Sequence, residues 1–111
     1  MPPKASATLT INVPLDEAWP VIVDIMRNAK ARALTVDDAN HVIEAKAGTS
    51  IFSWGENVTV EARSYGPTQT EVTISSASSF KLTLIDYGKN KGNVEQLTNR
   101  LRERLPVTTP A

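Results

Sequence analysis

The stretch ATLTINVPLDEAW, at residues 7–19, decides the fold. Apolar and polar residues alternate from Ala7 to Val13, which predicts a strand with one buried face and one wet face. Pro14 has no backbone N–H to donate, so it ends this strand. A helix is predicted to follow from about Leu15 to Ala31, and the domain therefore opens as strand and helix.

The predicted first helix has a single apolar face and charges that suit its dipole. Asp16 and Glu17 lie at its start and Arg27 near its end. Pro20 fits only if the helix begins near Asp16, because its missing N–H would then fall in the first turn. The apolar face is formed by Leu15, Trp19, Ile22, Ile25 or Met26, and Ala29.

The middle of the chain is predicted to form consecutive strands joined by short turns. The predicted strands are Leu34–Val36, His41–Ala47, Asn57–Ser64, Thr70–Ser76 and Lys81–Asp86, with turns at 37–40 and 66–69. Alternation in two of them places Val58, Val60 and Ala62, and then Val72 and Ile74, on one face. Strands with short connections pair antiparallel.

A closing helix is predicted from about Val94 to Leu105, where Pro106 stops it. Its apolar stripe consists of Val94, Leu97, Leu101 and Leu105. Two helices that each have one apolar face must cover the apolar face of the sheet. The sequence thus predicts an α+β two-layer sandwich, with an antiparallel sheet of five or six strands and both helices on one face. We expect a single domain over residues 1–111, with an ordered core at about 7–105 and frayed termini.

Composition excludes several functional classes. The 111 residues carry 12 Lys and Arg against 12 Asp and Glu, a balance that argues against a nucleic-acid partner. The absence of cysteine excludes disulfides, thiolate zinc sites and a cysteine nucleophile. The first ten residues lack the apolar core of a signal peptide, and no window is long and apolar enough for a membrane span. We therefore expect a cytoplasmic domain with no membrane partner and no cofactor.

Residues 10–19, TINVPLDEAW, resemble the opening of START/Bet v 1-like domains, in which a first strand ends at a proline and leads into a helix bearing a tryptophan. The long C-terminal helix against an antiparallel sheet is also similar to that family. The resemblance implies a fold that commonly encloses apolar ligands. This chain is shorter, because it lacks the second small helix and at least one strand of the family. The order of elements is similar to the TATA-binding-protein-like fold as well, although the neutral charge argues against DNA binding.

A second resemblance involves two short motifs. The stretch FSWGE at 52–56, paired with DYGKNK at 86–91, looks like a pair of motifs in small bacterial domains of unknown function. The resemblance implies a lineage and no activity.

These two motifs hold the candidate ligand-binding residues, which are Trp54, Glu56, Tyr87, Lys89, Asn90 and Lys91. A regular strand would place Glu56 among apolar side chains and raise its pKa. A bulge at Gly55 would instead turn Glu56 outward. Because each motif sets an aromatic residue before a glycine and a polar residue after it, we expect the two motifs to lie close together at one end of the sheet.

Residues 88–93, GKNKGN, have two interpretations. Free N–H groups at the start of a helix, with two lysines, would bind a phosphate or carboxylate. Alternatively, the segment is a glycine-rich turn with Asn90 or Asn93 as the N-cap. The single histidine, His41, follows a turn, and we expect it to be a solvated turn residue.

Three functional classes remain open. The first is a non-catalytic domain that binds a small apolar ligand, and the second is a module for a protein partner or homo-oligomer. The third is an enzyme that acts on a small anionic substrate through Glu56, Lys89 and Lys91. The enzyme ranks last, since the chain offers no metal-ligand set and no catalytic triad.

Overall fold

The computed structural model describes residues 4–29, 32–47, 56–78 and 89–107. Their elements are β1 (Lys4–Ile11), α1 (Leu15–Asn28), β2 (Arg32–Asp37), β3 (Val42–Ala47), β4 (Glu56–Ser64), β5 (Thr70–Ser78) and α2 (Lys89–Arg104). The described strands form a five-stranded antiparallel sheet in the order β1-β5-β4-β3-β2. The predicted fold class is confirmed. The strand predicted at 81–86 lies outside the described residues.

One face of the sheet carries the core. The buried positions of β4 are Val58, Val60 and Ala62, which alternate with polar residues as the sequence predicts. On β5, Val72 and Ile74 are fully buried. Both helices contribute to the same buried cluster, since α1 packs on β4 and α2 packs on β5 and β1. The two helices therefore share one face of the sheet.

The first helix starts where the sequence predicts and ends earlier. The Pro14 carbonyl accepts hydrogen bonds from the backbone N–H groups of Glu17 and Ala18, at 3.0 and 2.9 Å. The last helical residue is Asn28 rather than Ala31. Pro20 lies inside the helix and past the first turn, so our expectation for it was wrong. Its position is exposed, and the carbonyl that loses a partner there can bond to water.

The second helix begins earlier than predicted, at Lys89 instead of Val94. Asn90 and Asn93 are therefore helical, and the interpretation as a glycine-rich turn with Asn90 or Asn93 as the N-cap is wrong for residues 89–93. The interpretation of the helix start as a phosphate or carboxylate site stays a prediction. The Asn93 side chain donates from Nδ2 to Ser76 Oγ at 3.1 Å. A side chain that was expected to cap the helix instead fastens it to β5, which is a tertiary contact that local propensity does not reveal.

The residues that follow α2 pair with the end of β1. The backbone N–H of Asn12 donates to the Pro106 carbonyl at 2.8 Å, and Val107 pairs with Ile11. The buried Thr70 hydroxyl donates to the Val13 carbonyl, also at 2.8 Å. These bonds fix the end of α2 next to the end of β1.

The helix residues predicted to be buried are buried. Trp19, Ile22, Leu97 and Leu101 have exposed fractions of 7%, 1%, 8% and 2%. The two apolar stripes thus meet in one core.

Replacement of Leu101 by alanine tests this core. We expect Leu101→Ala to lower the free energy of unfolding by about 2–5 kcal/mol, because it removes buried methyl groups and leaves a cavity. Urea denaturation measures the loss. Arg102→Ala, at the exposed neighbouring position, is the control and should change stability by less than about 0.5 kcal/mol. Equal effects of the two changes would contradict the packing.

Candidate functional site

The inner face of the sheet carries one cross-strand row of large side chains. Ile43 pairs with Val60, and Val60 pairs with Ile74. All three side chains are buried and branched. This row fills the space between the sheet and the helices.

The next row along the same face is built from small side chains. Ala45 pairs with Val58, and Val58 pairs with Ser76. These three are also buried, but together they have roughly half as many side-chain heavy atoms as Ile43, Val60 and Ile74. The inner face thus changes from bulky to small within two residues along β3 and β5, while β4 has valine in both rows.

A polar contact lies at the small row. The Asn93 amide donates to the Ser76 hydroxyl, so the early part of α2 stands over this end of β5. Ser76 is almost completely buried and Asn93 is half-buried. The small row therefore has one hydroxyl and one carboxamide beside it.

The predicted site residues are located only in part. Glu56 opens β4, where its backbone pairs with Ala47 and Ser78, and Lys89 opens α2. Because Asn93 reaches Ser76, and Ser76 pairs with Val58, the starts of β4 and α2 lie at the same end of the sheet.

The contacts of these predicted residues are not described. Trp54, Gly55 and Tyr87 lie outside the described residues, and so do the side chains of Glu56 and of residues 89–91. The proximity of the two motifs, the alternatives for Glu56 and the ligand-binding role of the six residues stay predictions.

A second cluster lies where α1 meets the β2–β3 turn. Trp19 Nε1 donates to Asp38 Oδ1 at 2.9 Å, and the His41 ring stands edge-on to the Trp19 ring, with centroids 5.0 Å apart. His41 has a φ of 56°, and its carbonyl accepts a 2.9 Å hydrogen bond from the Ala62 N–H. His41 is a turn residue as expected, but it is half-buried and its ring is in contact with Trp19.

Asp37 fixes the conformation of this turn. Its carboxylate accepts hydrogen bonds from the Asn40 side chain at 2.9 Å and from the backbone N–H groups of Asn40 and Ala39, both at 3.1 Å. These bonds lower the pKa of Asp37 from its ordinary value of 3.8, with the Asn40 side chain as the largest cause and nearby His41 as a minor one. The cluster has a structural role, since it fastens the hairpin to α1. The feature of the sequence that indicates this turn is Asp37, which directly precedes it.

Two further findings concern the part of the chain that the structure describes. No group of three potential metal-ligating side chains occurs there. No helix in that part is long and apolar enough to cross a membrane.

The architecture is similar to that of a solved structure, the Zhui aromatase/cyclase from Streptomyces sp. R1128. The two structures align with a TM-score of 0.59 over 93% of this chain and 86% of that chain, at 13% sequence identity. No protein-family model matches the chain, and no curated protein matches it. At this identity the likeness shows the fold alone, and it agrees with the START/Bet v 1-like resemblance of residues 10–19.

The Asp37 turn leads to a prediction about pH. A carboxyl group whose pKa is lowered by folding contributes stability above its unfolded value, near 3.8, and this contribution is lost as the pH falls through the folded value. We expect the midpoint of thermal unfolding to fall less steeply below pH 4 in Asp37→Ala than in the wild type. Parallel pH profiles of the two proteins would contradict this expectation.

A double-mutant cycle tests the proximity of the two motifs. If Glu56 and Lys89 interact, the cycle of Glu56→Gln and Lys89→Met should give a coupling of about 0.5 kcal/mol or more in urea denaturation. A coupling of zero would contradict the predicted contact between their side chains.

Proposed function

We propose that this domain binds a small, mainly apolar ligand between the inner face of the sheet and α2, over the row of Ala45, Val58 and Ser76. The contrast between this row and the adjacent row of Ile43, Val60 and Ile74 carries the proposal. Both rows are buried, but the side chains of the small row have roughly half as many heavy atoms as those of the other row.

The physical argument begins with packing. Protein interiors are filled to the density of organic crystals, and a missing methylene group costs contacts on both sides of the gap. Where a sheet face presents alanine, valine and serine under a helix, the proposed ligand contributes further apolar atoms to the layer. A ligand that occupies this space gains the burial energy of its own apolar surface, about 25 cal/mol for each Å² removed from water.

The polar pair defines how such a ligand is oriented. Asn93 and Ser76 meet at 3.1 Å, and both side chains can donate and accept. In the proposed complex, one hydroxyl or carbonyl group of the ligand lies beside this pair while its apolar body covers Ala45 and Val58. The site therefore suits a molecule with an apolar body and a single polar end.

The fold likeness supports the same function. The Zhui protein is described as an aromatase/cyclase, and its architecture covers nearly the whole of this chain. We take aromatic molecules as the first ligand class for this domain and fatty acids as the second. No catalytic step is proposed, because no group with an assigned chemical role faces the small row among the described residues.

Ligand titration followed by NMR is the direct test. We expect 1-naphthol and decanoate to shift the amide resonances of Ala45, Val58, Ser76 and Asn93 in a saturable manner. Glycerol, which has hydroxyl groups and no apolar body, is the control and should leave these resonances unchanged. Absence of saturable shifts with any aromatic molecule or fatty acid would contradict the proposed function.

A pair of matched substitutions tests whether a ligand can be accommodated over the small row. We expect Ala45→Leu to weaken ligand binding at least tenfold, while the free energy of unfolding stays within about 0.5 kcal/mol of the wild type, because the new side chain occupies the ligand's space. Ala62→Leu is the control. Ala62 lies beside the Trp19–His41 cluster, which is already filled by two rings, so this change should cost about 1–3 kcal/mol by overpacking. An equal cost of the two substitutions would show that the small row is already filled.

A further inference from the structure

The outer face of the sheet contains a depression that the proposed function does not use. It has a volume of about 340 Å³ and lies across β2, β3 and β4. Its lining consists of Thr35, Glu44, Ala45, Lys46, Asn57, Val58 and Thr59. The side chains of Ala45 and Val58 are buried on the inner face, so these two residues contribute their backbones as the floor.

Strand register explains why the walls are polar. Glu44 pairs with Thr59, Lys46 pairs with Asn57, and Thr35 pairs with Glu44. All five side chains therefore stand on the same outer face, in two adjacent cross-strand rows. The pairing of β2 with β3 shifts register between residues 32 and 35, at the margin of the depression. Such an irregularity bends a strand locally and opens space beside it.

The two charges in the depression do not neutralise each other. Lys46 Nζ donates to Asn57 Oδ1 at 2.9 Å. Within the described part of the chain, the Glu44 carboxylate forms no hydrogen bond or ion pair. Residues two apart on a strand are separated by about 7 Å. The depression thus offers one anion and one cation on the same face, at a fixed spacing along β3.

From this arrangement we infer that the depression binds a small zwitterion, whose ammonium group contacts Glu44 and whose carboxylate contacts Lys46. The hydroxyls of Thr35 and Thr59 and the amide of Asn57 meet its remaining polar atoms. A ligand with one charge at each end of a short chain can contact both partners at once. The site lies on the face opposite the proposed apolar site, so the two can be tested separately.

Other ligand classes match the depression less well. A simple anion or cation would satisfy one charge and leave the opposite charge beside it. A neutral sugar would gain no ionic contact, and none of the described residues that line the depression has an aromatic ring for it to stack on. Since the lining side chains are mostly exposed, each ionic contact is weakened by solvent, and binding is expected at millimolar concentration.

The experiment uses the full chain and three probes of similar length. These are 5-aminopentanoate, which carries both charges, and pentylamine and pentanoate, which carry one each. We expect 5-aminopentanoate to shift the amide resonances of residues 44–46 and 57–59 at millimolar concentration, with at least threefold higher affinity than either singly charged probe. Sodium chloride at 0.5 M should weaken the binding, because salt screens exposed charges. Equal affinities of the three probes would overturn the inference, as would shifts confined to Ser76 and Asn93.

Charge variants complete the test. Glu44→Gln and Lys46→Met should each weaken 5-aminopentanoate about two- to fivefold, the loss expected for one exposed ion pair. Glu61→Gln removes an exposed carboxylate of the same sheet outside the depression and should have no effect. The double swap Glu44→Lys with Lys46→Glu keeps both charges and should restore binding that either single swap removes. Failure of the double swap to restore binding, in a variant with unchanged thermal stability, would contradict the two-point contact.

Discussion

The antiparallel pairing of β4 with β5 is the constraint on which the rest of the structure depends. The two strands pair without interruption from Glu56 with Ser78 to Ser64 with Thr70. Each pair assigns two side chains to the same face, so a shift of one residue would expose Val58, Val60 and their neighbours. The register of this central pair therefore decides which residues form the core and which face water. The flanking strands β3 and β1 only extend the rows that β4 and β5 begin.

These rows also decide where the layer between sheet and helices is full. Branched side chains meet in the row of Ile43, Val60 and Ile74, and small ones meet in the row of Ala45, Val58 and Ser76. Both rows are buried, and the second contributes fewer side-chain atoms to the core than the first. The hydrogen bond from Asn93 to Ser76 connects the early part of α2 to the second row. The row of large side chains and the row proposed to bind a ligand are thus neighbours along the same strands.

Much of the fold could be predicted from the sequence, because the periodicity was strong in each long element. The alternation in β1, β4 and β5 and the stripe through Leu97 and Leu101 gave the fold class and the buried residues. The start of α2 was missed because glycine and asparagine at 92 and 93 favour turns locally, whereas the contact with Ser76 depends on a strand far away in the chain. The contact of His41 with Trp19 was missed for the same reason, since it joins a helix to a hairpin turn.

The candidate sites were harder to predict than the fold. Sequence motifs pointed to residues 54–56 and 87–91, but the small row and the outer depression became visible only when the register was known. Neither has a linear motif. The small row combines one residue from each of three strands, and the depression combines residues from three strands on the other face. No single residue of the sequence identifies either site, because each site is defined by several residues that are neighbours only in the folded sheet.

Both proposed sites are built from the same stretch of β3 and β4. Ala45 and Val58 face the core, while Glu44, Lys46, Asn57 and Thr59 face the solvent. Because successive side chains of a strand point to opposite faces, the backbone is shared but the side chains are not. Substitutions at successive positions of one strand therefore act on opposite faces, as Ala45→Leu and Lys46→Met do on β3. The same alternation that specifies the fold thus allows an apolar site and a charged site to be changed independently, although they lie back to back.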